Sequence, residues 1–305
     1  MPYPKTTLEQ WRVLQAVIEH GSYAQAAEKL HRSQSSVSYA LSRLQDSLGL
    51  ELLTLEGRKA RLTETGRTLL DRSRELVDKA VKLEALAVSL RQGWEAEVRL
   101  AVEAAFPTDL LLRALARFAE RAPNTRVQLR EEVLSGADEA CLNHTADLVI
   151  GSSIPAGLLG DRLIEIELIA VAHPRHPLHQ LGRVLTADDL MQAQQIAVRD
   201  SGKNNPRDGG WVGSPLRWTV TSMDTALRMV AAGLGFAWLP AHLIRDHLSD
   251  GRLLSLPLHE GRVNRAGLFL VFSRPEQSGP ATRLLAETLL EQTRIHDAPE
   301  VSFGR

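Results

Sequence analysis

Val37, Leu41, Leu44 and Leu48 recur at spacings of four, three and four. This places them in one narrow apolar stripe along a helix. A stripe that regular fixes the opposite face as well. Ser35, Ser38, Tyr39 and Ser42 must point away from whatever the stripe packs against, with Gln34 and Ser36 near the helix start. Serine is a weak helix former in an interior, because its hydroxyl competes for backbone hydrogen bonds. A solvated face would be better served by Glu and Lys. The stretch SQSSVSYALSR therefore spends helix stability on small hydroxyls, and its surroundings have to explain why.

Upstream, Thr7-Leu8-Glu9-Gln10 has the form of a capping box. Leu8, Trp11, Leu14, Val17 and Ile18 then follow at helical spacing up to Gly21. Ser22-Tyr23-Ala24-Gln25 opens a second, short helix with Ala26, Ala27 and Leu30 inward, and His31-Arg32-Ser33 makes a tight connection into the serine-rich helix. Helix, short turn, and second helix with a polar outer face is the helix-turn-helix arrangement. Small hydroxyls let such a helix sit deep in a groove about 12 Å wide, where Ser and Gln reach phosphates and base edges. Its N-terminal amides favour a phosphate oxygen. The other reading of a serine-rich helix is the solvated face of a three-helix bundle; the preceding helix, the turn and the register of the stripe favour DNA.

Two runs, LELLTL and KARLTE, flank Glu56-Gly57-Arg58 and read as a hairpin. Arg58, Lys59 and Arg61 cluster at its tip, where a wing would touch phosphates. The DNA-contacting set is then Arg32, Ser33, Gln34, Ser35, Ser36, Ser38, Tyr39, Ser42 and Arg43, with Arg58, Lys59 and Arg61. Residues 1–66 carry eight Lys and Arg against seven Asp and Glu, a net charge of only +1. One copy should bind DNA weakly, so two or more copies are expected to act together.

From Thr65 onward Leu69, Ser73, Leu76, Ala80, Leu83, Ala87 and Leu90 alternate spacings of four and three. That is a heptad seam, read as a helix that pairs subunits and ends near Gly93. The alternative is a single helix packed on its own domain.

The chain as a whole adds exclusions. Its formal net charge is −1, so no global field draws it to nucleic acid or to an anionic membrane. Cys141 is the only cysteine, which rules out an intrachain disulfide. The N-terminus lacks a signal-peptide pattern, and no stretch nears ~20 uninterrupted apolar residues. A cytoplasmic protein with no membrane partner is the expectation.

Two blocks now identify a resemblance over essentially the whole length. GSYAQAAEKLHRSQSSVSYALSRLQDSLGLELLTLEGRKARLTETG and TALRMVAAGLGFAWLP resemble the LysR-type transcriptional regulators. Leu53 and Leu55 stand where that family often carries Phe and Arg, and Tyr39 where a basic residue is common.

Beyond residue 94 strands and helices alternate, which argues an α/β region with a mostly parallel sheet. Strands are expected at 96–102, in TRVQLREEV, in DLVIG, at 168–172, 195–198 and 217–220, in FAWLP and at 267–273. Helices are expected over 136–144, 223–233 and 280–294. The resemblance implies two similar subdomains joined by two crossovers, like a periplasmic binding protein, holding a small effector between them. The domains expected are a winged helix-turn-helix over 1–64, a linker helix over 65–93 and an effector-binding region over 94–305. The last divides into subdomain I, about 94–165 and 268–305, and subdomain II, about 166–267.

Ligands of α/β units bind beyond the carboxyl ends of strands. That rule selects Ala105, Phe106 and Thr108, then Ser152 and Ser153, Arg199 and Ser201, Thr221, Ser222 and Met223, and Trp238. Thr108 and Ser222 stand at helix starts, where hydroxyls and amides hold a carboxylate. Arg199 could pair with it, and Phe106 and Trp238 would form apolar walls. The effector expected is accordingly a small carboxylate. Each of these residues also has a plainer reading as a cap, a surface cation or core.

His173, His176 and His179 have metal-like spacing, but Pro174 and Pro177 interrupt them, so no metal is expected. GLGF lacks the dinucleotide pattern, GKNNPRDGG lacks the phosphate-loop order, and no nucleophile–base spacing stands out. Neither catalysis nor a cofactor is expected. The partners expected are double-stranded DNA with two-fold symmetry, a small effector, further copies of the chain as a dimer or tetramer, and RNA polymerase. An enzyme tethered to DNA and an effector-free architectural DNA-binder are the competing classes.

Overall fold

A computed structural model describes residues 3–56, 59–207 and 213–297. The chain forms two compact units, Met1–Arg91 and Gln92–Arg305.

In the first unit α1 spans Leu8–His20, α2 Tyr23–Lys29 and α3 Gln34–Leu48. Thr7 closes a full capping box with Gln10. At α2 only half of the expected box forms: Ser22 accepts from the Gln25 amide, and Gln25 Oε1 takes the Ser22 hydroxyl at 3.2 Å. Gly21 ends α1 at φ +77°, a left-handed cap that a side chain would strain. Trp11, Leu14 and Val17 meet Ala26 and Ala27 of α2 and Val37, Leu41 and Leu44 of α3 in one core. Each fully buried Leu or Val there contributes about 1.5–3 kcal/mol. The hairpin β1, Leu53–Glu56, and β2, Lys59–Leu62, is antiparallel, with Leu53 opposite Leu62.

Helix α4 runs from Glu64 to Arg91 and packs on α1 through Leu69 and Leu70. Ser73 of the expected seam is buried there and accepts from Gln15 at 3.3 Å. Farther along the same seam, Leu76, Leu83 and Leu90 are exposed. The heptad thus has two uses: its start packs on its own domain and its remainder faces outward.

The second unit contains β3 Glu97–Glu103, α5 Thr108–Arg121, β4 Arg126–Glu132, α6 Ser135–Leu142 and β5 Leu148–Gly151. Then come β6 Gly160–Ala172, α7 Pro177–Gln180, α8 Ala187–Met191, β7 Gln195–Val198 and β8 Arg217–Val220. α9 Met223–Ala231, β9 Phe236–Pro240, α10 Ala241–Ser249, β10 Leu254–Ser255, β11 Val263–Phe272 and α11 Pro280–Asp297 complete it. The sheet order is β4-β3-β5-β11-β6-β9-β7-β8, with β10 beside β6.

The sheet is parallel only toward its two ends. β3 pairs parallel with β4 and β5, and β7 with β8 and β9. At the centre β6 and β11 run antiparallel to each other, to β5 and to β9. These two are the crossovers, and both are longer than the sequence suggests. Acidic and basic residues interrupt the apolar run of β6, but they line one exposed face and pair across the strands, Arg265 to Glu167 at 3.0 Å. The chain returns through β11 to α11, which packs on α5 over Val98, Leu100 and Val102. The other half has its own core from Val171, Ile196, Leu227, Val230, Leu239 and Ile244. Among the described residues no helix is long and apolar enough to cross a membrane.

Candidate DNA-reading helix and ligand cleft

On α3 Val37, Leu41 and Leu44 of the stripe are fully buried and Leu48 half-buried, while Ser35, Ser38, Tyr39, Ser42 and Arg43 are exposed, Tyr39 to 69%. Ser33 caps the helix by accepting from the Ser36 amide at 3.2 Å, and its hydroxyl lies 3.0 Å from that of Ser35. Gln34 is exposed and Ser36 half-buried. Ser42 reaches Asp46 at 3.5 Å, a weak contact that leaves its hydroxyl on the outer face. Arg32 pairs with Glu9 of α1, which ties the turn to the first helix.

Gln45 links this helix to the wing. Its Oε1 accepts from the Leu52 amide at 2.8 Å and from the Leu53 amide at 3.2 Å. Thr63 then caps α4, accepting from Gly66 at 2.9 Å while donating to the Glu51 carbonyl. Arg61 is exposed on β2. Arg58 lies outside the described residues, and so does the side chain of Lys59, whose backbone faces Glu56 in the hairpin.

In the second unit an apolar cavity of about 100 Å³ opens where the two halves of the sheet meet. Ala105, Val133 and Leu134 line it from one side; Ile196, Val198, Met223, Ala226, Ala237 and Trp238 from the other. The indole donates to the Gly261 carbonyl at 2.7 Å, which fixes its ring against Phe236, edge to face. Of the expected ligand residues, this cavity brings together Ala105, Met223 and Trp238. Phe106 is instead buried in the core beneath α5. Thr108 is the first residue of α5, exposed, behind Pro107, and Ser222 caps α9 by accepting from Thr225. Ser152 is half-buried and Thr221 exposed.

Arg199 and Ser201 line a separate depression with Lys203, Arg207 and Arg217. Here the segment 200–207 folds across onto α6. Ser201 donates to Glu132 at 2.7 Å and accepts from the Val133 amide at 2.9 Å. Arg207 donates to Asp138 at 2.5 Å and to Ser153 at 3.2 Å, and Ser153 donates to Asp138 at 2.8 Å. Glu139 accepts from the amides of Lys203 and Asn204.

Two carboxyl groups that the sequence reading passed over dominate the electrostatics. Asp200 accepts from the Ser135 hydroxyl at 2.7 Å and the Ser135 amide at 3.3 Å, at the N-terminus of α6. Burial disfavours its charge, but the amides of Arg207 and Gly202 and the Ser135 hydroxyl outweigh that and hold it below the usual range. Glu103, only 4% exposed, accepts from the Leu134 amide at 2.9 Å. Burial pushes its carboxyl up to about 7, with the nearby Asp200 charge acting in the same direction. A signal for Glu103 existed: it is the acid closing the apolar run VRLAVE at a strand's carboxyl end. Nothing local marks Asp200, whose role depends on a helix some sixty-five residues away.

The histidines serve the backbone. His173 Nδ1 accepts from Arg175 and His176 Nδ1 from Leu178, while burial lowers the basicity of His176 and His179. Cys141 is buried beneath β5, and burial pushes its thiol up.

Comparison with known proteins agrees with this architecture. Residues 8–67 match the family described as bacterial regulatory helix-turn-helix protein, lysR family, and residues 91–294 match the LysR substrate binding domain. The probable HTH-type transcriptional regulator YhaJ of Escherichia coli (strain K12) is 32% identical over 252 residues, covering 81% of this chain and 84% of that protein. The RuBisCO operon transcriptional regulator of Allochromatium vinosum is 29% identical over 95% of this chain and 98% of its own. Among solved structures, the full-length virulence activator AphB of Vibrio cholerae superposes with a TM-score of 0.51 at 18% identity, over 94% of this chain and 100% of that one. Full-length LysG of Corynebacterium glutamicum with bound effector Arg gives 0.51 at 19% identity, over 94% and 98%. These relatives are named as regulators rather than enzymes, and with both of its domains matched the chain belongs to the LysR family of DNA-binding transcriptional regulators, with a helix-turn-helix and an effector-binding domain.

Proposed function

We propose that this regulator reads a two-fold symmetric DNA site through the outer face of α3 in paired copies, under control of a small molecule held in the cleft between its two α/β halves. The carrying observation is the separation of faces on α3. Val37, Leu41 and Leu44 are buried, whereas Ser35, Ser38, Tyr39 and Ser42 are exposed on a capped helix joined to the wing by Gln45. Among the described residues those hydroxyls bond only within α3 and its cap, Ser35 to Ser33 and Ser42 to Asp46. Pairing through the exposed part of the α4 seam, Leu76, Leu83 and Leu90, would offset the weak charge of one copy and place two half-sites about 34–36 Å apart. A tetramer would be a pair of such dimers. A cytoplasmic regulator of this kind at a promoter would also meet RNA polymerase.

In the cleft, Arg207 and Asp200 join one half of the sheet to α6 of the other, and Ser201 joins it to Glu132 at the end of β4. An effector changes DNA binding only if it favours one arrangement of the halves over another, and these bonds are what it would make or break.

The test is selection of bound fragments from the source genome by purified protein, repeated with Ser35, Ser38 and Tyr39 changed to Ala. The wild type should enrich a symmetric site and the triple variant should not. Unchanged enrichment would reduce the hydroxyl face of α3 to a solvated bundle surface.

A further inference from the structure

The cleft also constrains what kind of molecule occupies it, given the reading of that cleft as the effector site. Its apolar cavity is lined by aliphatic side chains, Met223 and Trp238, and its polar side chains are Glu103 and Gln195. Gln195 is 1% exposed, and its Oε1 has no hydrogen-bond partner among the described residues. A buried acceptor left without a donor is costly, so such groups normally find one. Glu103 is a second acceptor at the same cavity, already using one oxygen on the Leu134 amide.

Among the described residues no cationic side chain lines the cavity. Arg199, Lys203 and Arg217 line the neighbouring depression rather than this cavity, and Arg207 is engaged by Asp138 and Ser153. The helix end best suited to an anion, the N-terminus of α6, is occupied from within the chain. Asp200 takes the Ser135 amide and hydroxyl and the amides of Gly202 and Arg207. A carboxylate entering the cavity would face Glu103, with the Asp200 charge close to that group and no cation on the lining.

We propose that the effector of this cleft is a compact apolar molecule bearing a hydrogen-bond donor, a hydroxyl or an amine, rather than a carboxylate anion. The donor satisfies Gln195 Oε1 or Glu103, and the apolar body fills the space beside Trp238 and Met223. The size suits a single small ring held partly in the cavity's open mouth: an enclosed cavity of ~150 Å³ accepts benzene, against about 100 Å³ here in a cavity open on one side.

Three probes of similar shape test this at about pH 8, where one is neutral, one cationic and one anionic: phenol, benzylamine and benzoate. Thermal shift and calorimetric titration of the full chain give the readouts. Phenol or benzylamine at millimolar concentration should raise the melting temperature, and the better of the two identifies the neutral or the charged donor. Benzoate should not raise it. Gln195→Leu should weaken the effective probe by about tenfold or more, and Ala105→Leu, which fills the cavity from the other side, should abolish its binding. Benzoate binding as tightly as the donors would overturn the inference; if Arg199→Ala then removed it, the cleft reading would stand and only the ligand class would fall. No binding by any probe would also overturn the class. Binding that survives Ala105→Leu would place the ligand elsewhere and overturn the cleft reading with it.

Discussion

Glu103→Gln should stabilise this protein, and only above a definable pH. The glutamate carboxyl sits at about 7 in the fold against an ordinary value of 4.5. Between those values the folded chain keeps a proton that the unfolded chain has released. The folded state binds more protons, so stability falls as pH rises through the window and is flat above it. A gap of about 2.5 units at about 1.36 kcal/mol each corresponds to about 3 kcal/mol. Glu103 is almost fully buried, so solvent screening does not erase this. Glutamine keeps an oxygen for the Leu134 amide and carries no charge beside Asp200. Wild type and variant should therefore be equally stable near pH 4, and the variant should gain up to about 3 kcal/mol by pH 8. The chain forms two compact units, so the measurement is scanning calorimetry of the full chain with any separate transitions resolved. Asp200 and Asp147 are both held below the usual carboxylate range, so they stay ionised across this window and do not enter the difference. A difference independent of pH would refute the argument, since Glu103 would then ionise in the fold as it does in water.

Four other variants probe the remaining elements. Glu95 accepts from the amides of Gly279, Ala281 and Thr282 and from the Thr282 hydroxyl, capping α11 from a distant loop. Glu95→Ala should cost about 1–2 kcal/mol, like loss of a strong cap, seen as a lower denaturation midpoint. Leu41→Ala in the α3 stripe should cost about 2–5 kcal/mol and lower the first unit's melting temperature. The Ser35, Ser38 and Tyr39 alanine variant should stay within about 0.5 kcal/mol per site, so the pair separates folding from reading. Lysines at Leu76 and Leu83, both exposed on α4, should lower the oligomeric mass in sedimentation velocity without loss of helicity by circular dichroism.

The first unit was largely legible because its determinants are local. A capping residue, a glycine stop and a stripe at spacings of three and four fix α1 and α3 within one or two residues, and the hairpin register follows from its short turn. Legibility declined where neighbours came from far away. β6 and β11 read as shorter than they are because their charged residues lie on exposed positions and pair across strands, Arg265 with Glu167 being ninety-eight residues apart. The direction of these strands was illegible for the same reason: apolar alternation reports burial on a sheet face and carries no information about the partner's orientation. The α4 seam shows the converse limit, since one heptad pattern serves an intramolecular contact at Ser73 and an exposed stripe at Leu83.

The cleft depends most on long-range placement, and the ligand class proposed for it departs from what strand ends alone suggest. Strand-end hydroxyls and an arginine predict an anion site, because each is considered beside its own helix or strand. Folding puts Asp200 on the amide and hydroxyl of Ser135, sets Arg207 against Asp138 and leaves Arg199 in a separate depression, so none of these groups lines the apolar cavity. What is left facing the cavity is an acceptor pair, Glu103 and Gln195, on apolar walls. The bonds of Asp200 and Arg207 also tie one α/β half to the other. Asp200→Asn would remove the charge from that junction while keeping its shape. It should loosen the closure and lower the pH at which Glu103 ionises, because one of the charges opposing that ionisation is Asp200. If nuclear magnetic resonance titration showed Glu103 unmoved by Asp200→Asn, the two carboxyl groups would be electrostatically independent, and the closure could not be coupled to the cavity through them.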